Sequence, residues 1–247
     1  MSIELERGDI FFFYRPRVGV ADVKRLEDVQ RFFFVLHPGR GERLRRIVVG
    51  SKRLPDPGRY ERAWAFVADV AVDPSQLRDE LRASAHETKT RGTRIQPEAR
   101  PAGEGRYAIV DHDGHSHLAY VLELPQQPGE AQRVMRIEPE GSYIVAVRNP
   151  ETPAPPGVAF SAPGPALPER LRERFYGRRF APLDTPEWLD HERTELILIG
   201  AARAATRELQ IDLDPEKESI HDADLFEQLR IGANELATEP LRSGALE

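Results

Sequence analysis

The chain contains no cysteine and is short of lysine, methionine and tryptophan. Without thiols it has no disulfide, no thiolate-held iron–sulfur cluster, no cysteine zinc site and no thiol nucleophile. Lys24, Lys52, Lys89 and Lys217 are the only lysines among 35 basic residues, so arginine carries most of the positive charge. No apolar run approaches the roughly 20 residues that a membrane helix needs. The opening MSIELERGDIFFFYRP lacks a basic lead, an apolar core and a small-residue cleavage site, so the expected location is the cytoplasm. A GxGxxG fingerprint, a phosphate loop, a heptad, HExxH spacing and a GxSxG elbow are also missing. No cofactor is indicated, and neither a zinc-protease nor a serine-hydrolase signature is present.

The 247 residues, 40% hydrophobic and 31% charged, are enough for a sizeable core in one large domain or two modest ones. A net charge of -6 disfavours broad contact with a polyphosphate backbone, though a local basic patch is compatible with it. Nucleic acid is therefore not the expected partner, and no membrane partner is expected.

Strand patterns come early and often. Residues 10–14 (IFFFY), 30–36 (QRFFFVL), 44–50 (LRRIVVG) and 63–72 (AWAFVADVAV) are short apolar runs separated by turn residues. Apolar groups on both faces of 10–14 point to a covered strand. The gaps suit an antiparallel meander or a partly closed barrel better than βαβ crossovers. Asp73-Pro74-Ser75 then starts a helix expected over 74–85, with Leu77, Leu81 and Ala85 on one stripe. Residues 86–104 read as a long loop with a short strand near 93–96. Two strands, 132–137 and 142–147, are expected to pair about the 138–141 turn. Seven of the 21 prolines fall within 149–168, a chain-wide segmentation point. Beyond it the pattern gives a helix at 169–176, a turn at Trp188-Leu189, strands at 194–199 and 209–213, and a helix at 222–232. The expected class is α+β: a predominantly antiparallel sheet or small partly closed barrel, a few short helices and a Pro-rich C-terminal extension. Residues 1–148 form its β region, 149–168 a connector, and 169–247 a mixed extension packed on the first region.

The clearest local signal is residues 105–125, GRYAIVDHDGHSHLAYVLELP. Asp113-Gly114 suits a two-residue turn with both φ values positive. That turn sets His112 opposite His115, Val110 opposite His117 and Ile109 opposite Leu118. Strand alternation then gathers His112, His115 and His117 on one face, with Tyr107, Ile109, Leu118 and Tyr120 on the other. Three imidazoles on one hairpin tip have the chemistry of ligands for zinc or a similar ion. His86 and Glu87 are the candidate proton-transfer groups of a metal-assisted hydrolase built on that face. The same loop holds Lys89, Arg91 and Arg94, which with His117 can neutralise a carboxylate or phosphate. A binding or regulatory module for a small anion is the leading functional expectation. A structural or protein-interaction role is its bland rival.

Overall fold

In a computed structural model the structure describes residues 2–39, 43–88, 92–154, 163–216, 219–220, 223–232 and 234–246, with backbone alone at 86 and 88. The strands are β1 (Ile3–Pro16), β2 (Val29–His37), β3 (Leu44–Val49), β4 (Arg62–Ala71), β5 (Ser84–Thr88), β6 (Gly92–Gln96), β7 (Arg100–His112), β8 (His115–Leu124), β9 (Glu140–Arg148), β10 (Phe180–Pro182) and β11 (Glu195–Ala202). Short helices α1 (Ser75–Leu81), α2 (Glu130–Met135), α3 (Glu169–Glu173), α4 (Ala205–Leu209), α5 (Asp224–Gln228) and α6 (Glu239–Ser243) lie between and after them. The large sheet runs β10-β9-β11-β4-β3-β2-β1-β7-β8, and a further β8–β9 pairing closes it. The result is an α+β fold built on a closed, eight-stranded antiparallel barrel.

Closure comes from the chain's far end. Seven barrel strands lie within residues 1–148, and β11 fills the gap between β4 and β9, antiparallel to both. Its apolar run 194–199 was expected as a strand; its place in the barrel is a long-range outcome.

The inward faces are apolar because the strands alternate. Ile10, Phe12 and Tyr14 of β1 meet Phe32 and Phe34 of β2, Tyr107 and Ile109 of β7, and Leu118 and Tyr120 of β8. Phe12 sits edge-on to Tyr120 with ring centres 5.0 Å apart. The lumen is packed solid, with about 10 Å³ free among Phe34, Ile47, Leu118 and their neighbours. One mouth is sealed by Leu171, Phe175, Leu183 and Trp188 from the 167–190 segment. The other is sealed by Ala131, Met135 and Ile137 around α2, with Val23, Leu54 and Leu246. Phe11, Phe13, Phe33 and Val35 face outward beneath α1 and α5, which explains the two-sided apolar pattern.

Four expectations change. Residues 132–137 are not a strand: Gln132 to Met135 belong to α2 and Arg136 caps it, because Ala131 and Met135 at four-residue spacing face the core. Gln132 secures that helix: its Oε1 accepts from Gly129 N at 2.8 Å and its Nε2 donates to Ala102 O at 2.7 Å. Residues 209–213 are the last residue of α4 and the turn after it, and pair with no strand among the described residues; Leu209 and Leu213 are buried against Ala108, Val110 and Ala119 on the barrel's outside. Helix α1 stops at Leu81, where Arg82 turns extended, and Ala85 enters β5. The 86–104 stretch holds the rest of a two-stranded arm, β5–β6, and the start of β7. Pro101 is accommodated there beside a register shift opposite Phe12 and Phe13.

Candidate functional site

A filled barrel leaves only its exterior for chemistry. The histidine hairpin has the expected geometry: Asp113 and Gly114 have φ of 50° and 78°, and His112–His115, Val110–His117 and Ile109–Leu118 are opposed. Its histidines nevertheless do different things. His117 is 6% exposed and its Nδ1 lies 3.0 Å from Ser142 Oγ on β9. Burial first, then the nearby His112 and His115, pull its pKa down to about 4, so it is neutral at pH 7. His112 is half-buried; its Nδ1 lies 2.9 Å from Ser2 Oγ and its Nε2 3.4 Å from Asp113. Its ring meets that of His117 edge-on, 6.0 Å between centres. His115 is exposed at the tip. Among the described residues no three His, Asp or Glu side chains converge as a metal-ligand set. Two of the imidazoles are engaged by serine hydroxyls instead, His117 by Ser142 and His112 by Ser2.

The basic arm stands elsewhere. Gln96 at the base of β6 donates from Nε2 to Pro16 O at 2.8 Å, and Gly19 N donates to Ile95 O. The arm is thus tied to the end of β1, whereas His117 is level with Glu4 through Val110. Arg94 and His117 do not share a concavity. On β5, Glu87 is exposed and follows His86 in the chain. The strand that carries them lies far along the barrel from the imidazoles. Lys89 and Arg91 fall outside the described residues, as does the side chain of His86. Tyr14, at the same end of β1, is fully buried in the core, and Trp64 stacks on Phe180 with ring centres 6.1 Å apart. Lys52 is tied to Val29 O at 2.7 Å.

What the arm borders is a trough lined by arginines. Arg15, Arg31 and Arg46 come from β1, β2 and β3, outside the barrel. With Gln30, Phe33, Asp79, Glu80, Ser84 and Gln96 they line a depression of about 500 Å³. Arg46, 5% exposed, donates from Nε to Asp69 at 2.6 Å and from Nη2 to Glu80 at 3.1 Å. Its guanidinium also lies over the Phe33 ring, 5.2 Å from the centre. Arg15 donates to the carbonyls of Glu80 and Arg82 at the end of α1. Burial lowers its pKa, and Arg46 and Arg31 add to that against the opposing pull of Glu80. Arg31 is exposed and makes no ion pair among the described residues. The signal available in the sequence was cross-strand register: Arg15 stands opposite Arg31, which nothing local announces.

The chain matches no known family model, no curated protein and no solved structure. Function is therefore read from the sites alone.

Two other depressions have less to offer. One of about 570 Å³ is lined by Arg43, Asp190, His191, Glu192 and Arg193. The Asp190-His191-Glu192 run reaches it, but Asp190 is held by Arg45 at 2.8 Å. Glu195 lies apart, paired with Arg148. The other, of about 650 Å³, contains Asp9, His37, Asp224 and Glu227. There Arg106 and Gln228 already bond to Asp9 and His37. Among the described residues no helix is long and apolar enough to cross a membrane.

Proposed function

We propose that the protein is a binding module for a small anionic ligand, held in the trough of Arg15, Arg31 and Arg46 beside the β5–β6 arm. The observation that carries this reading is the cross-strand convergence of three guanidinium groups. Burial lowers the pKa of Arg15, and Arg46 and Arg31 add to that against the pull of Glu80, which Arg46 also bonds. Bringing like charges together raises the free energy of the empty trough, and an anion relieves it. Arginine forks also suit carboxylate and phosphate oxygens. Arg94 is on the same face of β6 as Gln96, which lines the trough. In the chain Lys89 and Arg91 fall between β5 and β6. His117 has no part in this site, since it is neutral and distant.

Calorimetric titration with inorganic phosphate, citrate and short dicarboxylates tests the proposal. Saturable heat is expected, and Arg15→Ala or Arg31→Ala is expected to weaken binding by about tenfold, the size of one charge-assisted hydrogen bond. His117→Asn leaves it unchanged. Absence of saturable heat across the panel sinks the reading. The packed lumen favours a second reading, a protein-interaction module, because such a barrel presents only surface. That reading predicts no small-anion binding and a partner recovered from extract only while the arm is intact.

A further inference from the structure

The trough of Arg15, Arg31 and Arg46 already holds a carboxylate of its own chain. Glu80, in the last turn of α1, lines it, and its Oε2 accepts from Arg46 Nη2 at 3.1 Å. Asp69 on β4 is the second carboxylate on Arg46, accepting from Nε at 2.6 Å. Arg46 thus has two acidic partners, while Arg31 in the same trough has none among the described residues. One carboxylate is enough to keep a buried guanidinium from standing as an uncompensated charge. The second is surplus to that need.

Of the two, Glu80 is the one free to leave. Its side chain is 49% exposed, against 31% for Asp69. Water solvates so exposed a carboxylate readily, and breaking such a pair costs little. Helix α1 does not depend on it. Leu77 and Leu81 bury that helix in the outer cluster, and Arg15 donates to the main-chain carbonyls of Glu80 and Arg82, not to the Glu80 carboxylate. Release of the carboxylate therefore frees a donor on Arg46 while Asp69 and the helix stay in place.

We infer, resting on the anion site proposed above, that the anion enters the trough by displacing the Glu80 carboxylate from Arg46, so that Glu80 is a built-in competitor that sets the affinity. One hydrogen bond from Arg46 Nη2 passes from Glu80 Oε2 to a carboxylate or phosphate oxygen of the ligand. Were Glu80 to stay, two negative charges would share one guanidinium, which is unfavourable. Asp79 also lines the trough and makes no ion pair among the described residues, so it carries charge there without occupying Arg46.

Calorimetric titration with citrate and with inorganic phosphate, on the native chain and on Glu80→Gln, tests the inference. Glutamine keeps the size of the side chain and removes its charge. Binding is expected to tighten about tenfold in Glu80→Gln, the size of one charge-assisted hydrogen bond. Asp79→Asn removes the same charge without touching Arg46, and is expected to tighten binding by no more than about threefold. Equal affinity in the native chain and Glu80→Gln overturns the displacement and leaves the anion site standing. An equal gain in Asp79→Asn also overturns it, because the effect then belongs to the general field of the trough. No saturable heat in any of the three proteins overturns both the displacement and the site. Should Glu80→Gln fail to fold, Glu80→Ala decides: a gain at least as large supports the displacement, and none overturns it.

Discussion

The β7–β8 face and the β1–β3 face are both polar patches on the outside of one barrel, and they use charge in opposite ways. On the first, α4 covers the strands, and His117 sits neutral against Ser142. On the second, three guanidinium groups share a trough that α1 and the β5–β6 arm border without filling. Histidines at a hairpin tip look more like a functional motif than scattered arginines do. Burial reverses that impression. A side chain that has found a hydrogen-bond partner and a cover contributes to stability, whereas Arg31 on the open face makes no ion pair among the described residues.

The contrast can be broken most forcefully through the cover. Leu209→Ala removes a fully buried side chain that packs over Ala108, Val110 and Ala119. Denaturant unfolding is expected to lose about 3 to 4 kcal/mol. An NMR titration of the same variant should find the pKa of His117 moved back toward its ordinary value.

Acid acts on the same face. His117 has a folded pKa near 4, below the 6.5 of an unfolded histidine. Between those values the unfolded chain binds a proton that the native chain refuses, so stability is full above about 6.5 and falls as pH drops toward 4. The loss attributable to this group is ~3 kcal/mol at its limit. Unfolding curves across that window should flatten in His117→Asn; an unchanged slope would place the acid sensitivity elsewhere.

Ser142→Ala sharpens the picture at smaller scale. It leaves the buried His117 Nδ1 without its partner at 3.0 Å, at a cost of about 1 kcal/mol by the same unfolding measurement. The smallest effect is expected on the opposite face. Arg31→Ala should change stability by no more than ~0.5 kcal/mol while weakening anion binding, which separates a binding role from a structural one.

Much of the barrel could be read from the chain because it depends on short-range rules. Alternating apolar residues marked β1 to β4 and β8, and Asp113-Gly114 set the hairpin register that the structure has. Residues 132–137 misled because Val134 and Ile137 fit either period over so short a span. The helix there depends on Gln132 reaching Ala102 and Pro240, contacts distant in sequence. The candidate ligands were legible as residue types and not as a site. Arg94 and His117 are close in the chain and belong to different ends of the barrel.

By itself the sequence determined that β1 to β4, the β7–β8 hairpin, β9 and β11 are strands and where the tightest turn falls, because side-chain alternation and φ preferences act within a few residues. Only the tertiary structure decided that β11 would close the barrel between β4 and β9, that α4 would cover the outer face of β7 and β8, and that Arg15, Arg31 and Arg46 would line one trough. Those outcomes depend on strand register and on which apolar surface remains to be covered once the other segments have paired. No local pattern encodes that choice, since each such contact joins residues whose separation is set by the rest of the fold.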